Sequence, residues 1–320
     1  MKAVTVEAFG DATQLRFGSG DDPLPAKGEV VVAITTAGVG FVDIMAREGR
    51  YTFPKPGFIP GLEIVGDVIV LGEGVSPDWL NRKVIAFPPR GGGYAERITM
   101  SASALIPLPR NILPEQALAI GVNGLVAAFS LDRAQVIAGE RVFIRGAGGG
   151  IGVIATQLAS HLTPEVTATT SSDVRGQRLM ALGAKTIWNR LTNPPLALNS
   201  FDVIIDTIGG PELPSYIAAL RPNGRYVLAG GIDGEPPADF GMELIRRFHG
   251  SPSFATLSLN SIPTELLAQR LALLFQALQC NEIVTIVDSI FPLADAVAAH
   301  RRLESGEGFG KILLTITSKP

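Results

Sequence analysis

Residues 142–152 constrain this chain more than any other stretch. An apolar run, Val142-Phe143-Ile144, passes through Arg145 into Gly146-Ala147-Gly148-Gly149-Gly150-Ile151-Gly152, and the helix-like Val153-Ile154-Ala155-Thr156-Gln157-Leu158-Ala159 follows. Strand, glycine turn and helix in that order build a phosphate site. Backbone without Cβ atoms turns tightly and approaches a pyrophosphate, whose charge meets the free N–H groups and positive dipole end of the helix. Against the Gly-x-Gly-x-x-Gly dinucleotide fingerprint the match is Ala147-x-Gly149-x-x-Gly152, with alanine at the first glycine position. The residues expected at the ligand are Ala147, Gly148, Gly149, Gly150, Ile151 and Gly152. A glycine-rich turn also serves as a plain connection, so the loop alone is a weak signal.

The segments after it strengthen the signal. Apolar runs recur at 166–170, 186–188, 201–206 and 225–230, with helix-like stretches between several of them. Arg178-Leu179-Met180-Ala181-Leu182 stops at Gly183, and residues 213–220 stop before Arg221-Pro222-Asn223-Gly224. Strands alternating with helices predict an α/β fold with a doubly wound parallel sheet. The loop lies near the middle of 320 residues, so another domain precedes it. Residues 2–117 change to short strands at 29–34, 63–71, 83–86 and 94–98, separated by Gly and Pro, which predicts a small, partly open β-barrel. The tail reads as helix 265–279, strand 283–287, helix 293–303 and strand 312–316, returning to complete that first domain. The expected division is 1–118 with 261–320 as one domain and 119–260 as the nucleotide-binding domain.

Composition excludes several classes. Hydrophobic residues at 46%, charged residues at 18% and a mean hydropathy of +0.29 supply apolar material for two cores. A net charge of -3 and a pI near 5.7 leave no basic field for nucleic acid or an anionic membrane. The N-terminus reads as an immediate strand without an export signal. The longest uncharged stretch, 116–131, contains Gly121, Asn123 and Gly124; it falls short of the ~20 apolar residues a bilayer requires and reads as a buried domain junction. The single Cys280 permits no internal disulfide and fits a reducing cytosol, so the expected location is cytoplasmic, with no nucleic-acid or membrane partner. Residues 254–259 read as a final sheet strand whose edge pairs with a second copy, giving a homodimer.

Further motifs run in order along the chain. They are Ala37-Gly38-Val39-Gly40-Phe41-Val42-Asp43, Arg47-x-Gly49-x-Tyr51, Pro60-Gly61-Leu62-Glu63-x-x-Gly66, Gly92-Gly93-Tyr94-Ala95-Glu96, Ala181-Leu182-Gly183-Ala184, Leu220-Arg221-Pro222-x-Gly224, Ala299-His300-Arg301-x-Leu303-Glu304-Ser305-Gly306 and Phe309-Gly310-Lys311. Together with the glycine loop they cover nearly the whole chain, which resembles the medium-chain dehydrogenase/reductase superfamily and, within it, the zinc-independent quinone oxidoreductase branch. The resemblance implies a GroES-like catalytic domain, a Rossmann domain, an NAD(P) cofactor in the cleft between them, and commonly a homodimer or homotetramer. It implies hydride transfer to a small-molecule electrophile, a quinone or an enone. Reduction of an enal or enoyl-thioester double bond is the alternative; an NADPH-binding structural, RNA-binding or redox-sensing protein is the reading from another class.

Zinc-dependent relatives carry cysteine and histidine where this chain has Gly40 and Leu62. Neither donates an electron pair, and catalytic zinc takes three protein ligands. No metal is expected; Glu63 reads as a structural hydrogen-bonding residue, and His161, His249 and His300 as surface or capping histidines. Without a Lewis acid, alcohol oxidation loses several kcal/mol of stabilisation, which favours electrophiles that delocalise the incoming charge.

NAD-specific folds end their second strand with Asp or Glu; here the equivalent residue is Thr170, followed by Ser171-Ser172-Asp173-Val174-Arg175. Ser171, Arg175 and Arg190 are expected to hold a 2′-phosphate, hence NADPH, with solvated surface charge as the other reading of both arginines. Asp173 is expected to open the next helix as its N-cap. Ile208 and Gly230 fall at strand-end turns where ligands of such sheets gather. By resemblance, Tyr51 lines the quinone pocket and Asn123 contacts the nicotinamide ribose or the substrate; these are the catalytic candidates. Phe309 and Lys311 match a segment that approaches the cofactor, although Lys311 also reads as a solvent-facing strand residue.

Overall fold

The computed structural model describes residues 1–51 and 55–316 and divides the chain into two units, Met1–Gly121 with Ile286–Pro320, and Val122–Thr285. The first unit opens on an antiparallel pair, β1 (Lys2–Val6) and β2 (Leu15–Ser19). It continues through β3 (Glu29–Val39), α1 (Phe41–Arg47), β4 (Ile64–Leu71), β5 (Lys83–Ala86), β6 (Arg97–Ser101) and β7 (Leu105–Pro107). One face of β3 carries Val30, Val32 and Ile34, fully buried at alternate positions as a pleated strand requires. β4 lies along one edge of β3. On the other edge β3 changes neighbour halfway, residues 29–33 pairing with β6 and 36–39 with the C-terminal strand. Register slips leave Ile69 of β4 and Thr35 of β3 unpaired and bend the two strands, and strands bent and shared in this way curl the sheet into the expected partly open barrel.

Helix α2 (Pro114–Ala134) carries the chain from the first unit into the second. It passes through Gly121, whose φ of -30° and ψ of -106° are not helical. A Cβ there would lie 3.1 Å from Glu63 Oε2 and 3.3 Å from Ile85 Cδ1, a tight fit that a side chain could take only if these neighbours yield slightly. α2 is 21 residues long, longer than the uncharged stretch read from sequence; although long and apolar enough to span a bilayer, it is mostly buried inside the fold.

The second unit runs β8 (Val142–Arg145), α3 (Gly150–Leu162), β9 (Val166–Thr170), α4 (Asp173–Ala181), β10 (Thr186–Asn189), β11 (Phe201–Asp206), α5 (Leu213–Ala218), β12 (Leu220–Leu228), α6 (Gly241–Arg246), β13 (Ser253–Thr256) and α7 (Thr264–Gln279). Its six strands are parallel in the order β10-β9-β8-β11-β12-β13. The chain starts at β8, winds outward to β10, then returns to β11 beside β8. That reversal is the switch point beyond whose carboxyl ends open sheets bind ligands. All four residues of β8 are buried, as in the centre of a parallel sheet.

The unit boundary differs from the division at 261. α7 belongs to the second unit: Arg270 pairs with Asp132 on α2 and lies 5.3 Å from the centre of the Phe129 ring. Beyond α7, Gln157 of α3 clamps Val284 from both sides, Val284 N–H donating to Oε1 at 2.7 Å and Nε2 donating to the Val284 carbonyl at 3.1 Å. This clamp satisfies the backbone that the sequence assigns to a strand at 283–287, and β14 begins only at Val287 (Val287–Pro292). α8 (Ala296–Glu304) and β15 (Lys311–Thr315) follow, β15 pairing parallel to β14 and antiparallel to β3. The strand expected at 94–98 is also displaced: the Tyr94 N–H donates to the Pro60 carbonyl and the Glu96 N–H to the Lys2 carbonyl, both at 2.9 Å, and β6 starts at Arg97.

Candidate functional site

The glycine loop leaves β8 at Gly146, which adopts a φ of +78° and donates its N–H to Thr169 Oγ1 at 2.9 Å. This explains the alanine in the fingerprint. Gly146, one residue earlier, takes the left-handed conformation, so Ala147 needs no unusual backbone and is buried. Gly148 follows half-buried, and Gly149 N–H closes the turn on the Gly146 carbonyl at 3.0 Å. Gly149 is also the N-cap of α3 and is exposed; a Cβ there would meet only Gly146 O, at 3.4 Å. Helix geometry leaves the N–H groups of Gly150, Ile151 and Gly152 without intrahelical acceptors at this open end. A Cβ on Gly152 would collide with Gly146 O and Ala147 Cα and lie 2.7 Å from the Ala147 carbonyl carbon. Asn123 of α2 is buried against the same turn, its Nδ2 2.5 Å from where a Gly150 Cβ would stand.

Beneath the loop lies a network that sequence reading missed. Arg145 and Asp206 are paired residues of the β8/β11 ladder, and both are buried. Asp206 Oδ1 accepts the N–H groups of Ile208 at 2.7 Å and Gly209 at 3.1 Å. Its Oδ2 accepts Arg145 Nη1 at 3.1 Å and the Tyr226 hydroxyl. Arg145 also donates to the Gly209 carbonyl at 2.6 Å and to Glu212 at 2.9 Å, and its guanidinium sits 4.1 Å from the centre of the Tyr216 ring. Burial opposes the Arg145 charge, but Asp206 and the two tyrosines hold its pKa above the usual arginine value. Burial first and Asp206 second raise the Tyr226 phenol well above its ordinary range. The signal was an arginine in an apolar strand just ahead of the glycines and an aspartate ending another; only the register shows that they are partners.

This network fixes Ile208 beside the loop, its Cδ1 2.8 Å from where a Gly146 Cβ would be. Gly230 closes the group: a Cβ there would collide with the Thr207 carbonyl oxygen and lie 2.8 Å from its carbon. The ends of β8, β11 and β12 thus bring Gly146, Ile208 and Gly230 together.

At the end of β9, Arg175 Nη2 donates to Ser171 Oγ at 2.7 Å, so two expected phosphate ligands are neighbours. Ser172, not Asp173, caps α4: its extended backbone places Asp173 inside the helix, and its Oγ accepts the Arg175 N–H at 3.5 Å. The Asp173 carboxylate accepts Asn189 Nδ2 at 2.9 Å. Arg190 is exposed just after β10, and its backbone N–H donates to Thr170 O at 2.9 Å.

The candidates in the first unit have different surroundings. Tyr51 is half-buried beyond α1 and directly precedes residues 52–54, which lie outside the described residues. Phe309 is buried, and its N–H donates to Asp288 Oδ1 at 2.9 Å. Lys311 is buried rather than solvent-facing, and its ammonium is ion-paired with buried Glu63. His300 overturns its reading as a surface or capping residue. It is fully buried, with Nδ1 3.3 Å from Arg47 Nη1 and Nε2 3.1 Å from the Tyr94 hydroxyl. A guanidinium has no acceptor, so Nδ1 must accept and Nε2 must carry the hydrogen donated to Tyr94. Burial, and then the Arg47 charge, lower the His300 pKa to about 3. Asp43 accepts the N–H groups of Gly40 at 2.9 Å and Gly61 at 3.0 Å, and burial raises its pKa to about 6. Among the described residues, no group of three or more His, Cys, Asp or Glu side chains is placed to hold a metal ion.

A doubly wound sheet with a glycine loop at its switch point, joined to a unit built on a curled antiparallel sheet, defines the class of two-domain, dinucleotide-binding dehydrogenases and reductases. Residues 26–110 match the alcohol dehydrogenase GroES-like domain, and residues 182–314 match the family described as zinc-binding dehydrogenase. Quinone oxidoreductase of Mus musculus is 26% identical over 332 residues, covering 99% of this chain and 98% of that protein. A mycobacterial protein solved in complex with NADPH superimposes with a TM-score of 0.89 at 27% identity, covering 98% of this chain and all of that one. A phenolphthiocerol/phthiocerol polyketide synthase polypeptide of Mycobacterium tuberculosis is 27% identical over 308 residues, but the chain spans only 14% of its length. The chain belongs to the medium-chain dehydrogenase/reductase superfamily, in its quinone oxidoreductase branch.

Proposed function

We propose that this protein is an NADPH-dependent oxidoreductase that reduces a quinone or a related conjugated electrophile without zinc. The observation that carries this reading is the pairing of Arg175 with Ser171 beside Thr170, where NAD-specific folds carry an acid. The open backbone at Gly149 and the close packing at Gly152 form a cradle that fits a pyrophosphate. In this reading the N–H groups of Gly150, Ile151 and Gly152 bind the pyrophosphate, with Ala147 and Gly148 shaping the turn. Ser171, Arg175 and Arg190 bind the 2′-phosphate, and Ile208, Gly230 and Asn123 bound the nicotinamide end. When bound, NADPH supplies the hydride. Tyr51 supplies a hydroxyl to the reduced substrate, and Phe309 shapes the C-terminal segment. Gly40 and Leu62, at the positions of lost zinc ligands, support metal independence, and elemental analysis should find no stoichiometric zinc. The lone cysteine supports a cytoplasmic location, and β13, an outer strand of its sheet, supports a homodimer joined along that edge.

The test is kcat/KM for NADPH and NADH with 9,10-phenanthrenequinone. A preference for NADPH of at least about tenfold is expected from one or two charged contacts to a phosphate. Arg175→Ala should weaken NADPH selectively. Equal values for the two cofactors would overturn the cofactor assignment, and tight NADPH binding with no turnover of any electrophile would favour the non-catalytic reading.

A further inference from the structure

We propose that Asn189 is a specificity-determining residue of the adenosine end, acting by holding the Asp173 carboxylate against β10 so that it does not oppose a 2′-phosphate. The proposal rests on the NADPH reading above and names the residue that makes it compatible with this sequence. Asp173 stands three positions beyond Thr170, in the first turn of α4, and the Thr170 position is where NAD-specific folds carry the carboxylate that repels that phosphate. The position of Asp173 must therefore disarm it.

Asn189 is built for that task. It ends β10 and is buried. Its Oδ1 accepts the Leu191 N–H at 3.1 Å, and its own N–H donates to Asn193 Oδ1 at 2.7 Å. With Oδ1 occupied by a donor, Nδ2 is the end of the amide that faces Asp173, at 2.9 Å. The bond from Arg190 N–H to Thr170 O, at 2.9 Å, holds the end of β10 beside the end of β9. The two charges of this turn are thereby separated. Asp173 is tied to β10 by Asn189, while Arg175 is tied to Ser171 at the end of β9. Without the amide, the carboxylate is released to turn toward Ser171 and Arg175, where it competes with a phosphate for the guanidinium and repels it.

Calorimetric titration with 2′,5′-ADP and 5′-AMP reads the phosphate preference without turnover. The wild-type protein should bind 2′,5′-ADP at least about tenfold more tightly than 5′-AMP. Asn189→Ala should cut that ratio by about threefold or more while leaving 5′-AMP affinity unchanged, because like-charge placement discriminates between ligands. Asn189→Ser, too short to reach Asp173, should behave alike and guards against a disturbance specific to alanine. Asp173→Asn alone should move the ratio by less than about twofold, yet restore it in the Asn189→Ala background, the coupling expected of residues in contact. Equal weakening of both ligands in both Asn189 variants would assign Asn189 a merely structural role and overturn the proposal. The same factor for Asp173→Asn in both backgrounds would also overturn it. A wild-type protein that does not distinguish the two ligands would instead remove the NADPH reading, and this proposal with it.

Discussion

Replacing Asp206 by alanine should destabilise the second unit by about 3 to 5 kcal/mol. The carboxylate is wholly buried and accepts from Ile208 N–H, Gly209 N–H, Arg145 Nη1 and the Tyr226 hydroxyl. Its removal leaves buried Arg145 with the Gly209 carbonyl at 2.6 Å and Glu212, a partner that is itself 64% exposed. Breaking a buried pair from one side costs ~3–5 kcal/mol; the residual partners of Arg145 pull toward the lower figure, and two turn N–H groups without an acceptor, at ~1 kcal/mol each, pull upward. The assay follows from the sequence. Its two tryptophans are Trp79 in the first unit and Trp188 in the second, so in a Trp79→Phe background fluorescence follows the unfolding of the second unit alone. At a slope of ~2 kcal/mol per M, the urea midpoint should fall by roughly 1.5–2.5 M. The double change Arg145→Met with Asp206→Leu should recover the part of the loss that the unpaired cation causes, while the Ile208 and Gly209 N–H groups stay without their acceptor. A shift in Asp206→Ala of less than about 1 kcal/mol, or a double variant no better than the single, would refute the account of Asp206 as the group that satisfies a buried cation.

Three other outcomes are expected. Gly152→Ala should abolish NADPH binding in a fluorescence titration and cost ~1–3 kcal/mol, because the new methyl meets the backbone of Gly146 and Ala147, which cannot move aside. His300 has a folded pKa of about 3 against 6.5 unfolded, so the unfolded chain binds the extra proton between those values and stability falls as pH is lowered through that window. From pH 7 to pH 5 the wild type should lose roughly 2 kcal/mol relative to His300→Gln; taking the difference cancels the opposite contribution of Asp43, raised to about 6, which favours the folded state as pH falls. Tyr51→Phe should retain most quinone turnover while losing activity on any enone, since a hydroquinone anion is stabilised by its ring whereas an enolate needs protonation worth ~10² to 10⁴-fold; a large fall in kcat for quinone would show the phenol to be its general acid.

Much of the architecture was legible in the sequence because it rests on local chemistry. The order of strand, glycines and helix at 142–159 predicts the loop, and the alternation after it predicts the parallel sheet, since a fully buried strand and a helix differ in length and in their stop residues. Where boundaries slipped, a side chain other than the one expected had satisfied the backbone. Gln157 holds Val284 out of a strand, and Ser172 takes the cap that Asp173 was expected to provide.

What tertiary structure alone decided is which polar residues meet. Nothing near His300 in sequence identifies it as buried, because its partners Arg47 and Tyr94 are more than two hundred residues away and reach it only when α8 docks in the first unit. Lys311 reads equally well as an exposed strand residue or a cofactor contact until β15 pairs with β3 and brings its ammonium to Glu63. The pairing of Asp206 with Arg145 likewise follows from the register of β11 on β8, and a shift of one residue would turn the two side chains to opposite faces. Glycine loops and apolar periods are written in consecutive residues, and so the sequence by itself determines them. Buried charges are stable only with a partner, and the partner's place in the chain is set by how the sheets close.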